Sequence, residues 1–203
     1  MKIYHVPCLR DNYSYLIVDK STKEGAVVDP VEPQRVLEAA NSHWVNLKLV
    51  LTTQHHGDHA GGNEKIKQLV PGIKVYGSLI DNVIGCTDKV ENGDKESLGA
   101  DIYIFHTKGH ISYYVTGKEE EQPAVFTGDT LVHYQSQHEF TVAMGAKNQQ
   151  QAGQLTISST IEEEMETNPF KRVDQPDIQE KVGCKSPVEA LRELRKLKDN
   201  WKG

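Results

Sequence analysis

Apolar and polar residues along this chain fall into short runs with two different periods. Residues 2–7, 13–18 and 25–28 are rich in Ile, Tyr, Val and Leu and are separated by turn residues, which predicts three short strands. Pro33 to Ala40 reads as a helix and Leu47 to Thr52 as a buried strand. Asn63 to Leu69 reads as a second helix, ended by Pro71-Gly72, and Lys74 to Gly77 as a strand, followed by a loop or short helix to Cys86. Strands are predicted at Asp101 to Phe105, Ile111 to Val115 and Val125 to Thr127, with a charged turn at Lys118 to Glu121. Residues 132–158 are rich in Gln and poor in large apolar side chains, so they predict a weakly packed helix or loop. Ser186-Pro187-Val188-Glu189 has the chemistry of a helix start: a capping Ser, Pro in the first turn and a Glu to close the box. Val188, Leu191, Leu194, Leu197 and Trp201 then recur at helical spacing and predict one packed stripe.

Composition narrows the class. With 203 residues the chain makes one domain, or a core with a small helical appendage. A formal charge of −6 and a pI near 5.8 offer no basic face for nucleic acid. No apolar segment reaches membrane-spanning length and no cationic, apolar signal segment is present, so a soluble, cytoplasmic chain with no membrane partner is expected. Cys8, Cys86 and Cys184 are scattered without Cys-x-x-Cys pairing, which suits a reducing compartment.

The candidate chemistry lies just after the strand ending at Thr52. Gln54-His55-His56-Gly57-Asp58-His59 packs three imidazoles and a carboxylate into a few residues, followed by Gly61-Gly62. Imidazole and carboxylate together suit a borderline divalent metal such as zinc. Two later segments end strands in the same way. His106-Thr107-Lys108-Gly109-His110 follows Ile102 to Phe105, and Gly128-Asp129-Thr130 follows Ala124 to Thr127. A lone His or Asp after a strand is ordinarily a hydrogen-bonding or turn residue. The recurring order, strand then histidine or aspartate, is what raises these three segments together to a candidate site.

That order resembles the metallo-β-lactamase superfamily, and the surrounding residues resemble glyoxalase II, the hydroxyacylglutathione hydrolases, in particular. The stretches that carry it are Met1 to Leu16, Ala26 to Val31, Gly61 to Lys65, Gly109 to Val115 and Ala124 to Leu131. Towards the end, Ser159-Thr160, Glu162 to Glu164, Thr167 to Phe170, Arg172-Val173 and Arg195 to Asp199 carry it further. The resemblance implies an α/β fold, an αββα sandwich with a shortened second half and a C-terminal helix. It implies a metallo-β-lactamase-like domain over 1–142, truncated after Leu131, and a remnant of the helical substrate-binding domain over 143–203.

The resemblance also implies two divalent ions, zinc with iron or manganese as alternatives. By position, His56 and His106 match ligands of one ion, Asp58 and His59 match the other, and Asp129 matches the bridge. Asp58 would also help activate the metal-bound water. Gln54 stands where the family has a first His, and an amide oxygen is a poorer zinc ligand than imidazole. His138 matches the last ligand by motif but follows Asp129 by only nine residues, where the family has a longer block with a substrate loop. His133 is a weaker candidate of the same kind. Substrate contacts would come from Arg195 and Lys198, three apart on a helix, and from position 140, where Phe140 replaces the family's Tyr. The implied function is hydrolysis of an S-(2-hydroxyacyl)glutathione thioester by a monomer, with weakened activity. Two alternatives differ in class. One is an impaired homologue that binds metal or a glutathione conjugate. The other is a persulfide dioxygenase using one iron on His56, His106 and Asp129.

Overall fold

The computed structural model describes residues 1–10, 12–107, 109–118, 121–130 and 159–200. By its contacts the chain divides into Met1–Leu131 and Val132–Gly203. The boundary expected at 142/143 falls inside the second unit, outside the described residues.

The first unit holds two sheets. Strands β1 (Lys2–Cys8), β2 (Asn12–Val18) and β3 (Glu24–Val28) form an antiparallel meander. β3 then pairs parallel to β4 (Asn46–Leu51) across helix α1 (Pro33–Ser42). β4 pairs parallel to β5 (Lys74–Ser78) across the short helices α2 (Gly57–Ala60) and α3 (Asn63–Leu69). β6 (Asp88–Val90) completes six strands in the order β1-β2-β3-β4-β5-β6. The second sheet is antiparallel, ordered β10-β9-β8-β7, from β7 (Lys95–Ser97), β8 (Asp101–Thr107), β9 (His110–Thr116) and β10 (Ala124–Phe126). The short strands β6 and β7 lie between Cys86 and Asp101, where the sequence reading assigned no element.

Side-chain alternation sorts the core into two layers. Ile17, Ala26, Val28, Leu49 and Leu51 from the first sheet pack with Ile102, Ile104, Ile111, Tyr113 and Val115 from the second. Leu16, Val18, Val27 and Val50 cluster with Val36 and Ala40 of α1 and Ile66 of α3. β4 manages both faces through a bulge. Gly25 pairs with Leu47 and Ala26 with Leu49, so Lys48 is an extra residue. The slip leaves Leu47 on the helix side with Val50, where strict alternation would have sent it to the other face.

In the second unit, α4 (Ile161–Thr167) opens with a full capping box. The Thr160 hydroxyl accepts the Glu163 N–H at 3.1 Å, and the Glu163 carboxylate accepts the Thr160 N–H at 2.6 Å. α5 (Pro176–Lys181) and α6 (Pro187–Asp199) follow. The sequence predicted α6 but not α4 or α5. Its stripe needs correction: Ala190 and Leu194 are buried, as is Ile178 of α5, whereas Val188 and Leu197 are exposed. The buried pair lies four residues apart, about one turn, on one face of α6. Trp201 lies outside the described residues.

Candidate metal centre

Parallel pairing brings the C-terminal ends of β3 and β4 to one edge, where the carboxyl ends of strands present their loops. Asp29 follows β3 with φ 47°, and its N–H is held by the Leu51 carbonyl at 3.1 Å. Its side chain is buried, a costly place for a carboxylate unless donors satisfy it. Three do. The Thr53 N–H donates to Oδ1 at 2.8 Å, the Thr53 hydroxyl to Oδ2 at 2.6 Å, and His59 Nδ1 to Oδ2 at 2.9 Å. A carboxylate only accepts, so Nδ1 carries the proton in that bond. His59 then presents Nε2 to Asp58 Oδ2 and Asp129 Oδ1, each at 3.6 Å. A histidine anchored through one nitrogen on a carboxylate and presenting the other is how metal-ligating histidines are oriented. The sequence reading passed over Asp29 as a functional residue. Its signal was a carboxylate ending an apolar strand just before Pro30.

The rest of the edge is fitted closely around this anchor. Asp58 lies in the first turn of α2, where Asn12 donates to its carbonyl at 3.2 Å and to Oδ2 at 3.3 Å. Asp129 sits in a single 3-10 turn, Gly128–Thr130, just after β10. Gly128 has φ 50°, and a Cβ there would lie 2.5 Å from the Thr53 hydroxyl, so only glycine lets this turn approach. The Thr53 carbonyl accepts the Ile111 N–H at 2.8 Å and the Thr52 carbonyl the Tyr113 hydroxyl at 2.9 Å. These two bonds tie the loop after β4 to the second sheet.

Gln54 is buried and joins two candidate ligands. Its Nε2 donates to Asp129 Oδ2 at 2.5 Å, and its Oε1 lies 2.5 Å from His56 Nδ1. Charge follows this geometry. Burial alone would lower the His59 pKa, but the carboxylates of Asp129 and Asp29 outweigh it and hold the ring near about 10. The same contact with His59 draws Asp129 down to about 2 against the opposing effect of burial, aided by the Gln54 N–H and the charge of His110. His110, at the head of β9, is thus a neighbour of the cluster that the sequence reading did not single out.

The expected convergence of His56, Asp58, His59, His106 and Asp129 is met unevenly. His59 faces both Asp58 and Asp129, and Gln54 links His56 to Asp129. His106 lies one residue from the end of β8, opposite Ile111, with its Nε2 buried and, among the described residues, without a hydrogen-bond partner. His55 is exposed and its ring leans on that of His56 at 4.5 Å. Among the described residues no group of three or more His, Cys, Asp or Glu side chains is arranged so that it could hold a metal ion as it stands. Yet donors bound to one tetrahedral zinc at about 2.0–2.2 Å are themselves separated by about 3.3–3.6 Å. His59 Nε2 has that spacing to both Asp58 and Asp129, so this half of the donor set fits an ion. His133, His138 and Phe140 lie outside the described residues. Arg195 and Lys198 fall on α6 in the second unit, where Arg195 is exposed and the Lys198 side chain is outside the described set.

Comparison with known proteins meets this geometry from another side. A profile of the hydroxyacylglutathione hydrolase C-terminus matches residues 134–201. The cytoplasmic hydroxyacylglutathione hydrolase of Arabidopsis thaliana is 53% identical over 258 positions, covering 100% of both chains. This chain has 203 residues, so at least 55 of those 258 positions have no residue here. Among solved structures, ETHE1 from Myxococcus xanthus superposes with a TM-score of 0.68 at 21% identity, over 100% of this chain and 92% of that one. A metallo-beta-lactamase from Staphylococcus aureus gives 0.64 at 18% identity, over 95% of this chain and 65% of that one. Those two likenesses establish the metallo-β-lactamase fold and nothing finer. The full-length match at 53% identity goes further, and on it the chain belongs to the hydroxyacylglutathione hydrolase family.

Proposed function

We infer that this protein hydrolyses the thioester of S-(2-hydroxyacyl)glutathione, such as the lactoyl compound, to glutathione and the 2-hydroxy acid. The reading has the chain acting as a monomer in the cytoplasm on a free small molecule. The name of the Arabidopsis relative supports both the substrate class and the compartment. Among the described residues no helix is long and apolar enough to cross a membrane.

The observation that carries the reading is the triad of Asp58, His59 and Asp129 at the strand edge, with His59 braced on buried Asp29. These residues would hold a zinc-type divalent ion. Bound there, such an ion supplies an activated water and polarises the thioester carbonyl. The protein's own part is orientation. Asp29 fixes the tautomer and direction of His59, Asn12 holds Asp58, and Gly128 lets Asp129 come close to Thr53. Arg195, Lys198 and Phe140 are the positions from which substrate contacts would come.

The test is direct. Zinc-loaded protein is expected to cleave S-lactoylglutathione above the buffer rate, followed by loss of the thioester. Asp129→Ala is expected to remove that activity while leaving the circular dichroism spectrum unchanged. Zinc-loaded, folded protein with no thioester hydrolysis would overturn the assignment and leave the binding-only homologue.

A further inference from the structure

We propose that Gln54 is an amide clip that closes one of the two metal positions, so that this chain holds a single ion on Asp58, His59 and Asp129. The inference rests on the metal-dependent reading above and concerns how many ions that site takes.

The clip is defined by which atoms it occupies. An ionised carboxylate accepts and never donates, so the end of the Gln54 amide facing Asp129 is its NH2 group, at 2.5 Å from Oδ2. That turns Oε1 towards His56. An amide oxygen only accepts, so His56 Nδ1, 2.5 Å away, carries the hydrogen. A metal could take that nitrogen only if the hydrogen left and the bond to Gln54 opened. His56 Nδ1 is therefore committed to the clip.

Asp129 is divided by the same bond. Its Oδ1 faces His59 Nε2, and its Oδ2 is taken by the Gln54 amide. A bridge through both carboxylate oxygens would need Oδ2 free of the amide, and here only Oδ1 is turned to His59. The amide has little room to swing away. Gln54 is 1% exposed. It follows Thr52 and Thr53, which are buried and tied to Asp29, Ile111 and Tyr113. Breaking the clip would strand buried polar atoms, which is costly. On the other side of Asp129 the His59 arrangement is untouched and is itself braced by Asp29. One position is thus built and the other is stitched shut by hydrogen bonds.

The experiment counts ions. Chelator-treated full-length protein is loaded with excess zinc, passed through a desalting column and assayed for zinc per chain by mass spectrometry. The expected ratio is about one for the native chain and about two for Gln54→His, which replaces the donor–acceptor amide with an imidazole. Cobalt loading gives an independent reading, with magnetic coupling between two ions expected in Gln54→His and absent in the native chain. Two ions per native chain would overturn the single-ion inference and leave the metal-dependent reading standing. No zinc on a folded native chain would overturn both. Equal ratios near one in the native chain and in Gln54→His would show that Gln54 is not what limits the count, and would overturn its role as the clip.

Discussion

At the scale of single residues, Asp29 carries the most consequence. One buried carboxylate satisfies the Thr53 N–H and hydroxyl and the His59 ring, and so links the strand edge to the ligand triad. Removing the outer partner of a metal-bound histidine ordinarily costs 10- to 100-fold in metal affinity, roughly, because the ring loses its fixed direction and some basicity. Asp29→Asn is expected to weaken zinc binding by about that factor in a chelator competition. A folded variant with native zinc affinity would mean that Asp29 is a structural hub only. Legibility at this scale was mixed. Asp58, His59 and Asp129 stood out because residue type and position at strand ends coincide. Asp29 did not, because a lone Asp before Pro reads as a turn. Nor did the bond of Gln54 to Asp129, 75 residues on, which no local pattern encodes.

At the scale of elements, turns hold as much as strands do. The link between β2 and β3 is built on Asp19, whose Oδ1 accepts the N–H groups of Ser21 and Thr22 at 2.8 and 2.7 Å and both their hydroxyls. The Ser21 hydroxyl leads these bonds in holding the Asp19 pKa well below the usual carboxylate range. Since the folded-state pKa lies below the unfolded value of about 3.9, the charge stabilises the fold above that value, and the contribution fades as pH falls below it. Asp19→Asn, which keeps an acceptor oxygen, is expected to be less stable than the native chain at neutral pH. The gap should narrow towards about pH 3 in urea unfolding. A gap of constant size across that range would count against the carboxylate as its source. Sequence periodicity found the long strands and α1, α3 and α6, since those bury many residues at a regular spacing. It missed β6 and β7, which are too short for a pattern, and the bulge at Lys48, which only pairing with β3 reveals.

At the scale of the whole molecule, the missing positions bear on rate. At least 55 aligned positions of the Arabidopsis relative have no residue here, and on the sequence resemblance Phe140 would stand, without a hydroxyl, where the family has a Tyr. If three substrate hydrogen bonds go with them, each is worth about 0.5–1.5 kcal/mol, or roughly tenfold to two-thousandfold in total. The expected kcat/KM for S-lactoylglutathione is lower than that of the Arabidopsis enzyme by about this factor when both are assayed zinc-loaded. Equal values would show that those contacts are replaced from elsewhere in this chain.

The sequence by itself determined the fold class, the family and which segments are candidates for the chemistry. Those follow from local facts: strand and helix periods, turn residues, and ligand-type side chains placed just after apolar runs. Tertiary structure alone decided how the side chains are used. It set His59 against Asp29, turned its other nitrogen to Asp58 and Asp129, and spent both ends of the Gln54 amide on His56 and Asp129. It also chose Ala190 and Leu194 over Val188 and Leu197 as the buried face of α6. The reason is physical. A residue's type limits which bonds it makes, but its partners come from distant strands, and their distances exist only once the sheets have packed.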